Sequence, residues 1–301
     1  MRAIRFHEFG EPGVLRPDEI DRPVAGPGEI LVRVAATSFN PVDAALRAGY
    51  LREAMPLTLP HTPGVDVAGT TEGGRRVIGF LPMTGAGAAA EWVAAPAGVL
   101  TDAPASIPLA DAAAVPAVAL TAWQGLFEHA GLQAGQRVLV NGAGGGVGGY
   151  AVQFAKAAGA HVLATASARS VRTVEEQGAD EVIDYTAGPV AEAVTEPVDV
   201  VLNLVRADDA TMAALVRLVR PGGVVVTTAS PAPEDAERKV TTISMYVRSD
   251  AAQLARIVER IDAGAVKVDV SARRPLAELA AVHEDSEAGR LRGKVVIEVA
   301  P

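Results

Sequence analysis

The sequence contains no cysteine among its 301 residues. Disulfide bonds, thiolate catalysis and zinc sites built from cysteine ligands are therefore excluded. A long apolar run is also missing, because the longest candidate, AAAVPAVALTAW, contains Pro116 and is shorter than the ~18 residues of a membrane span. The first residues, MRAIRFHEFGEPG, lack the apolar core of a signal peptide. We therefore expect a cytoplasmic protein that has no membrane partner.

Positive charge is scarce as well, and the formal net charge is -9. Nucleic acid is not an expected partner, because binding to phosphates requires a basic face. Hydrophobic residues make up 49% of the chain and charged residues 21%. These proportions are typical of a soluble globular protein, and the length suits one large or two ordinary domains.

The order of predicted elements indicates two kinds of domain. The first third is β-rich, with short runs such as EILVRVAATSFN, GVDVAGTT and RRVIGF, and it predicts a compact, partly barrel-like antiparallel domain. A long helical stretch, LADAAAVPAVALTAWQGLFEHAGL, follows, and after it strands alternate with helices. Nearly continuous Val, Leu and Ile strands between helices predict a doubly wound parallel sheet that binds a nucleotide. The last strand, GKVVIEV, is expected to return to the first domain.

A glycine-rich loop joins the predicted strand RVLV to the predicted helix VGGYAVQFAKAAG. Residues 143–148 have the register A-x-G-x-x-G, in which Gly145 lets a diphosphate approach the backbone and Gly148 lets the helix pack on the strand. The N–H groups at the helix start then face the anion. We therefore predict cofactor contacts at Gly144, Gly145, Gly146 and Val147. The alternative is a glycine-rich turn with a structural role only.

The end of the next strand, HVLATAS, distinguishes NAD from NADP. Ser167, Ala168, Arg169 and Ser170 follow there, so no carboxylate repels a 2′-phosphate and Arg169 can pair with one. Ser167 and Arg169 are accordingly predicted to bind NADPH. In the alternative interpretation, Arg169 is a solvated charge at a helix N-terminus.

Several ordered stretches resemble the medium-chain dehydrogenase/reductase superfamily, and most of all its zinc-independent quinone oxidoreductase (zeta-crystallin-like) branch. They are FNPVDAALRAGY, LPHTPGVDVAGT, AAAEWVAAP, VALTAWQGL, VLVNGAGGGVG, GADEVIDY and GKVVIEV. The resemblance implies an α/β protein with a Rossmann-type domain, residues 116–265, and a GroES-like catalytic domain, residues 1–115 and 266–301. It also implies a homodimer that uses NADPH to reduce a quinone or an α,β-unsaturated carbonyl.

The departures from this family concern the metal. Asn40 stands where the zinc alcohol dehydrogenases have a cysteine, three residues before Asp43, and Gly64, Val65 and Asp66 match their Gly-His-Glu. No metal is therefore expected, and His61 is interpreted as structural or solvated. Without a strong Lewis acid, an acceptor that spreads charge over a conjugated system is the easier substrate.

The resemblance places Asn40 and Tyr50 near the nicotinamide, in a cleft between the domains. Asn40 would donate to a substrate oxygen or hold the carboxamide, and Tyr50 would stack on a ring or donate its hydroxyl. Alternatively, Asn40 belongs to an ordinary turn and Tyr50 covers the core, while Asp43 is expected to be a capping or buried structural carboxylate. Further cofactor contacts are predicted at Thr121, Tyr185, Val205, Thr228, Ala229, Ser230, Tyr246 and Val247. Tyr246 is equally compatible with core packing.

Two other functions remain open at this point. One is an NADPH-binding protein with little turnover that serves in redox sensing or as a structural partner. The other is a tailoring reductase that acts on the enone of one biosynthetic intermediate.

Overall fold

A computed structural model of the protein describes residues 1–299, and in it the chain forms two compact units. The first unit contains Met1–Leu120 together with the chain from Ser249 onward, and the second is Thr121–Arg248. The domain limits remain a proposal, with residues 1–115 and 266–301 in the catalytic domain and residues 116–265 in the Rossmann-type domain. The structure is described below by its two units. No helix within residues 1–299 is both long enough and apolar enough to cross a membrane.

The first unit is β-rich, as its short apolar runs predict. A two-stranded antiparallel sheet joins β1 (Arg2–Arg5) to β2 (Arg16–Glu19). The larger sheet has the order β14-β15-β3-β4-β5-β7, with β6 also paired to β3. Its strands are β3 (Glu29–Ser38), β4 (Asp66–Thr71), β5 (Arg76–Phe80), β6 (Trp92–Pro96), β7 (Leu100–Asp102), β14 (Val270–Pro275) and β15 (Lys294–Glu298). Strand β15 pairs antiparallel with β3, so the prediction that GKVVIEV returns to the first part of the chain is confirmed.

The helices that lie wholly in the first unit begin at clear local signals. They are α1 (Pro41–Arg47), α7 (Ala251–Asp262) and α8 (Leu279–Glu287). Helix α1 begins with proline, whose missing N–H is not needed in the first turn. Helix α7 begins after Asp250, whose side chain accepts a hydrogen bond from the Gln253 N–H at 2.9 Å.

The core of the first unit follows the alternation of its strands. One cluster brings together the buried valines of β3, β4, β5 and β6. A second cluster packs Phe6, Phe39 and Ile297 against Val282 of helix α8. One face of each strand is thereby removed from water, which is the main stabilising contribution of a half-buried sheet.

The second unit contains a six-stranded parallel sheet with the order β10-β9-β8-β11-β12-β13. The strands are β8 (Arg137–Asn141), β9 (His161–Ala166), β10 (Glu181–Asp184), β11 (Val198–Asn203), β12 (Val219–Thr227) and β13 (Thr241–Ser244). The helices between them are α3 (Gly146–Ala157), α4 (Val171–Glu176), α5 (Val190–Ala193) and α6 (Asp209–Leu218). The strand order reverses between β8 and β11, so the predicted doubly wound sheet is confirmed.

Three elements differ from the sequence prediction. The long helix expected around residue 120 is divided into a 3₁₀ turn at Asp111–Ala114, helix α2 (Pro116–Trp123) and a π-helical segment at Gln124–His129. Helix α6 ends at Leu218, and the Pro-Gly-Gly that follows, a pattern typical of a helix stop, lies inside strand β12. Strand β13 was not predicted, since its residues, TTIS, lack the apolar run that marks the inner strands.

Candidate functional site

The predicted cofactor residues of the second unit mostly follow the ends of its parallel strands. Gly144, Gly145, Gly146 and Val147 come after β8, and the others come after β9, β10, β11 and β12. They are Ser167 and Arg169, then Tyr185, then Val205, and finally Thr228, Ala229 and Ser230. Because all these strands are parallel and adjacent, the structure brings the residues to one edge of the sheet, where α/β proteins of this type bind ligands.

The glycines of the loop after β8 differ in what surrounds them. A Cβ on Gly148 would lie 2.4 Å from the Ala143 Cα, and one on Gly144 would lie 2.5 Å from the Ser170 Oγ. Both positions are therefore closed by neighbouring protein atoms. A Cβ on Gly145 would have only the Gly142 carbonyl oxygen within 4 Å, at an ordinary 3.4 Å. Gly145 precedes helix α3, whose first N–H groups have no partner within the helix. The space above this backbone is thus available to an anion.

The loop after β9 is a tight turn that exposes Arg169. The Ser167 N–H donates to the Ser170 hydroxyl at 3.2 Å, and this buried serine is the one that lies against Gly144. The turn after β9 therefore approaches the glycine loop closely at Gly144. It contains no carboxylate.

The remaining cofactor candidates differ in exposure. Tyr246 is 76% exposed, so the core-packing alternative for this residue is wrong. Tyr185 and Val205 are exposed as well, and Val247 is half-buried. Thr121 lies in helix α2 and is buried.

In the first unit, the two catalytic candidates differ in accessibility. Tyr50 is 76% exposed, so it does not cover the core. Asn40 is 5% exposed, and its amide is already engaged. Its Nδ2 donates to Asp66 Oδ2 at 2.8 Å, while its Oδ1 accepts from Lys294 Nζ at 2.6 Å. Donation from Asn40 to a substrate would therefore compete with the bond to Asp66.

Lys294 and Asp66 form a buried ion pair that the sequence analysis missed. Their Nζ–Oδ2 distance is 3.1 Å, and the two side chains are 3% and 0% exposed. Asp66 also accepts from the Ser38 hydroxyl at 2.5 Å and from the Ala117 N–H at 2.7 Å. The only signal in the sequence was a lone lysine at the start of an apolar strand, and its partner lies 228 residues away.

Asp43 is a buried carboxylate that accepts from two backbone N–H groups, those of Asn40 and Gly64, each at 3.0 Å. It thereby caps helix α1, as its position in the sequence suggested. Burial is the main cause that raises the pKa of Asp43 to about 6, and the negative charge of Asp66 raises it further. The two N–H donors and the Lys294 ammonium act in the opposite direction.

His61 is a packed structural residue. Its backbone pairs with Phe6, and its ring lies 5.4 Å from the Phe6 ring, centroid to centroid. Burial, together with the nearby Arg5 charge, lowers the pKa of His61 to about 4. The ring is therefore neutral at physiological pH.

Two family models match separate parts of the chain. The model described as alcohol dehydrogenase GroES-like domain matches residues 26–105, and that described as zinc-binding dehydrogenase matches residues 177–297. Among curated proteins, a chloroplast envelope quinone oxidoreductase homolog from Arabidopsis thaliana is 38% identical over 202 residues, 62% of this chain and 61% of its own. The human mitochondrial NAD(P)H oxidoreductase RTN4IP1 is 34% identical over 243 residues, 71% of this chain and 61% of its own. The aligned part thus spans about three fifths of these relatives.

Solved structures match over the whole length. A quinone oxidoreductase from Coxiella burnetii superimposes with a TM-score of 0.90 at 26% identity, covering 100% of this chain and 99% of that one. The mycobacterial protein Rv1454c, solved in complex with NADPH, has a TM-score of 0.87 at 28% identity and covers 99% of this chain and 100% of its own.

A zinc ion does not fit the residues of this chain at the place where the resemblance would put it. Asn40 and Asp66 are polar side chains at that place, and the Lys294 ammonium already bonds to both. A second cation would be repelled by this ammonium at close range. Elsewhere in residues 1–299, no group of three His, Cys, Asp or Glu side chains is placed to hold a metal.

Proposed function

Because the chain belongs to the medium-chain dehydrogenase/reductase superfamily, within its quinone oxidoreductase branch, we propose that it is an NADPH-dependent oxidoreductase. Its acceptor would be a quinone or an α,β-unsaturated carbonyl. The observation that carries the proposal is the glycine loop after β8. Gly148 is closed by the backbone of its own loop, whereas Gly145 leaves the backbone bare beside the start of helix α3.

NADPH is proposed over NADH because of the turn after β9. Arg169 is exposed there and no carboxylate accompanies it, so a 2′-phosphate would meet a cation and no repelling charge. The NADPH complex of Rv1454c supports this choice by analogy.

The proposed reaction needs no metal. A bound nicotinamide would supply the hydride, and a conjugated acceptor would spread the resulting charge over its own atoms. The protein would then contribute binding, orientation and exclusion of water. Asn40 and Tyr50 remain the proposed substrate-side residues, with Asn40 held by Lys294 and Asp66 and Tyr50 able to offer its ring or hydroxyl.

The direct test is an NADPH oxidation assay with a panel of quinones, enals and enones, with NADH in parallel. We expect oxidation of NADPH with at least one acceptor, slower oxidation of NADH, and rates that do not change with EDTA or added zinc. NADPH binding without turnover of any acceptor would favour the binding-protein alternative. Activity that is lost with EDTA and restored by zinc would refute the metal-free mechanism.

We also propose a homodimer in the cytoplasm. Light scattering coupled to gel filtration measures the oligomeric state, and cell fractionation tests the location. Fractionation is informative because two of the relatives above are described as chloroplast envelope and mitochondrial proteins.

A further inference from the structure

Four polar side chains lie in a row at the carboxyl edge of the parallel sheet, one on each of four neighbouring strands. All four are buried in strands that otherwise consist largely of apolar residues. They are Thr165 on β9, Asn141 on β8, Asn203 on β11 and Thr227 on β12. A buried polar group without a partner destabilises a protein by about 1–3 kcal/mol, so the partners of these groups are informative.

The four side chains donate to one another in one direction. The Thr165 hydroxyl donates to Asn141 Oδ1 at 3.2 Å, and Asn141 Nδ2 donates to Asn203 Oδ1 at 2.8 Å. Asn203 Nδ2 then donates to the Thr227 hydroxyl at 3.2 Å. We call this row the amide–hydroxyl chain.

Backbone groups at the two ends fix this direction. The Gly142 N–H donates to the Thr165 hydroxyl at 2.8 Å, which leaves the hydroxyl proton for Asn141. At the other end, the Thr227 hydroxyl donates to the Ser230 carbonyl at 2.9 Å and so accepts from Asn203. Neither amide can be flipped without breaking a bond, and aligned hydrogen bonds of this kind strengthen one another.

The backbone groups that bond to the amide–hydroxyl chain belong to three different loops. Gly142 opens the glycine loop, and Ser230 lies in the loop after β12. Asn203 Nδ2 also donates to the Val205 carbonyl at 2.9 Å, in the loop after β11. The last two loops are joined again by the Ala207 N–H, which donates to the Ser230 hydroxyl at 3.0 Å.

We propose that Asn141 and Asn203 are positioning residues for NADPH, which set the three loops relative to one another without touching the cofactor. The inference rests on the proposed function, because these loops carry the predicted cofactor contacts at Gly144–Gly146, Val205 and Thr228–Ser230. Valine at the four positions would suit the sheet equally well, but it would leave the loops without this common anchor.

The main variant is the double substitution Asn141→Leu with Asn203→Leu. Leucine has the same branching and number of heavy atoms, and removing both amides avoids leaving one of them unpaired. We expect the NADPH dissociation constant, measured by fluorescence titration, to rise about tenfold. The value for NADH should rise by the same factor, because the 2′-phosphate is not involved.

A milder pair of variants keeps the test independent of folding. Thr227→Val removes the hydroxyl without changing the shape of the side chain, and Thr227→Ser keeps it. We expect weaker NADPH binding in the first and recovery in the second. Thr242→Val on the neighbouring strand β13 is the matched control and should bind as the wild type does.

The results of these titrations and of the NADPH oxidation assay distinguish the positioning role of Asn141 and Asn203 from the proposed function. Wild-type affinity in both the double variant and Thr227→Val overturns the positioning role. If the wild-type protein binds NADPH but reduces no acceptor, the turnover part of the proposed function is refuted. The titrations still test the positioning role of the amide–hydroxyl chain in that case. Wild-type protein that binds no NADPH refutes both.

Discussion

At the scale of single residues, Arg169 is the side chain that we propose to select NADPH over NADH. Replacing it with alanine should remove a charge-assisted contact to the 2′-phosphate, which is worth about 1.5–3 kcal/mol. We expect Arg169→Ala to raise the NADPH dissociation constant by roughly tenfold or more. The NADH value should stay unchanged, since NADH has no 2′-phosphate. Fluorescence titration with both cofactors provides the measurement.

Arg172→Ala is the matched control for this prediction. Arg172 is an exposed arginine on the adjoining helix α4, where its Nε pairs with Glu176 at 2.9 Å. If Arg172→Ala weakens NADPH as much as Arg169→Ala does, the effect is a general loss of positive charge. The specific role of Arg169 would then be wrong.

At the scale of elements, the glycine loop allows packing and ligand binding to be separated. Gly145 has φ -89° and open space beside its Cα, so Gly145→Val should fold normally. Its side chain would fill the space proposed for the diphosphate, and NADPH binding should be lost. Gly148→Val instead places a Cβ 2.4 Å from a backbone carbon and should lower the thermal midpoint. Calorimetry and NADPH titration of both variants test this division, which fails if Gly145→Val binds NADPH normally.

The buried pair of Lys294 and Asp66 ties strands β15 and β4 to the end of β3. Lys294→Met would leave Asp66 buried without a counter-charge, and breaking such a pair destabilises a protein by about 3–5 kcal/mol. The double variant Lys294→Met with Asp66→Asn removes both charges and should recover much of that loss. Urea unfolding of both variants gives the comparison. A single variant as stable as the wild type would show that the ion pair contributes little.

At the scale of the whole molecule, the sequence predicted most of the fold and only part of the site. Apolar runs and the glycine loop were sufficient for strands β8 to β12, because each signal is local. Strand β13 was not predicted from the sequence because Thr241–Ser244 has no apolar run. The ion pair of Lys294 and the hydrogen bond from Asn141 to Asn203 were not predicted for another reason. Their partners are far apart in the chain, and such pairing depends on the tertiary fold.

At the same scale, the buried His283 makes the free energy of unfolding of the whole protein depend on pH. This side chain is buried on helix α8, its ring lies 4.9 Å from that of Phe39, and neither ring nitrogen has a hydrogen-bond partner among residues 1–299. Burial, with a smaller effect of the Arg47 charge, lowers the pKa of His283 from 6.5 to about 3. Between these values the unfolded chain binds the proton and the folded protein does not. This contribution to stability is therefore complete above pH 6.5 and is lost as the pH falls toward 3.

His283→Leu removes this dependence. The free energy of unfolding of the wild type, minus that of the variant, should fall by about 2 kcal/mol between pH 7 and pH 5. The comparison is necessary because other groups titrate in the same range. His61, with its pKa lowered to about 4, acts in the same direction, whereas Asp43, with its pKa raised to about 6, stabilises the fold more as the pH falls. Those contributions cancel in the difference, so a difference that does not change with pH would mean that His283 is solvated or paired in the folded protein.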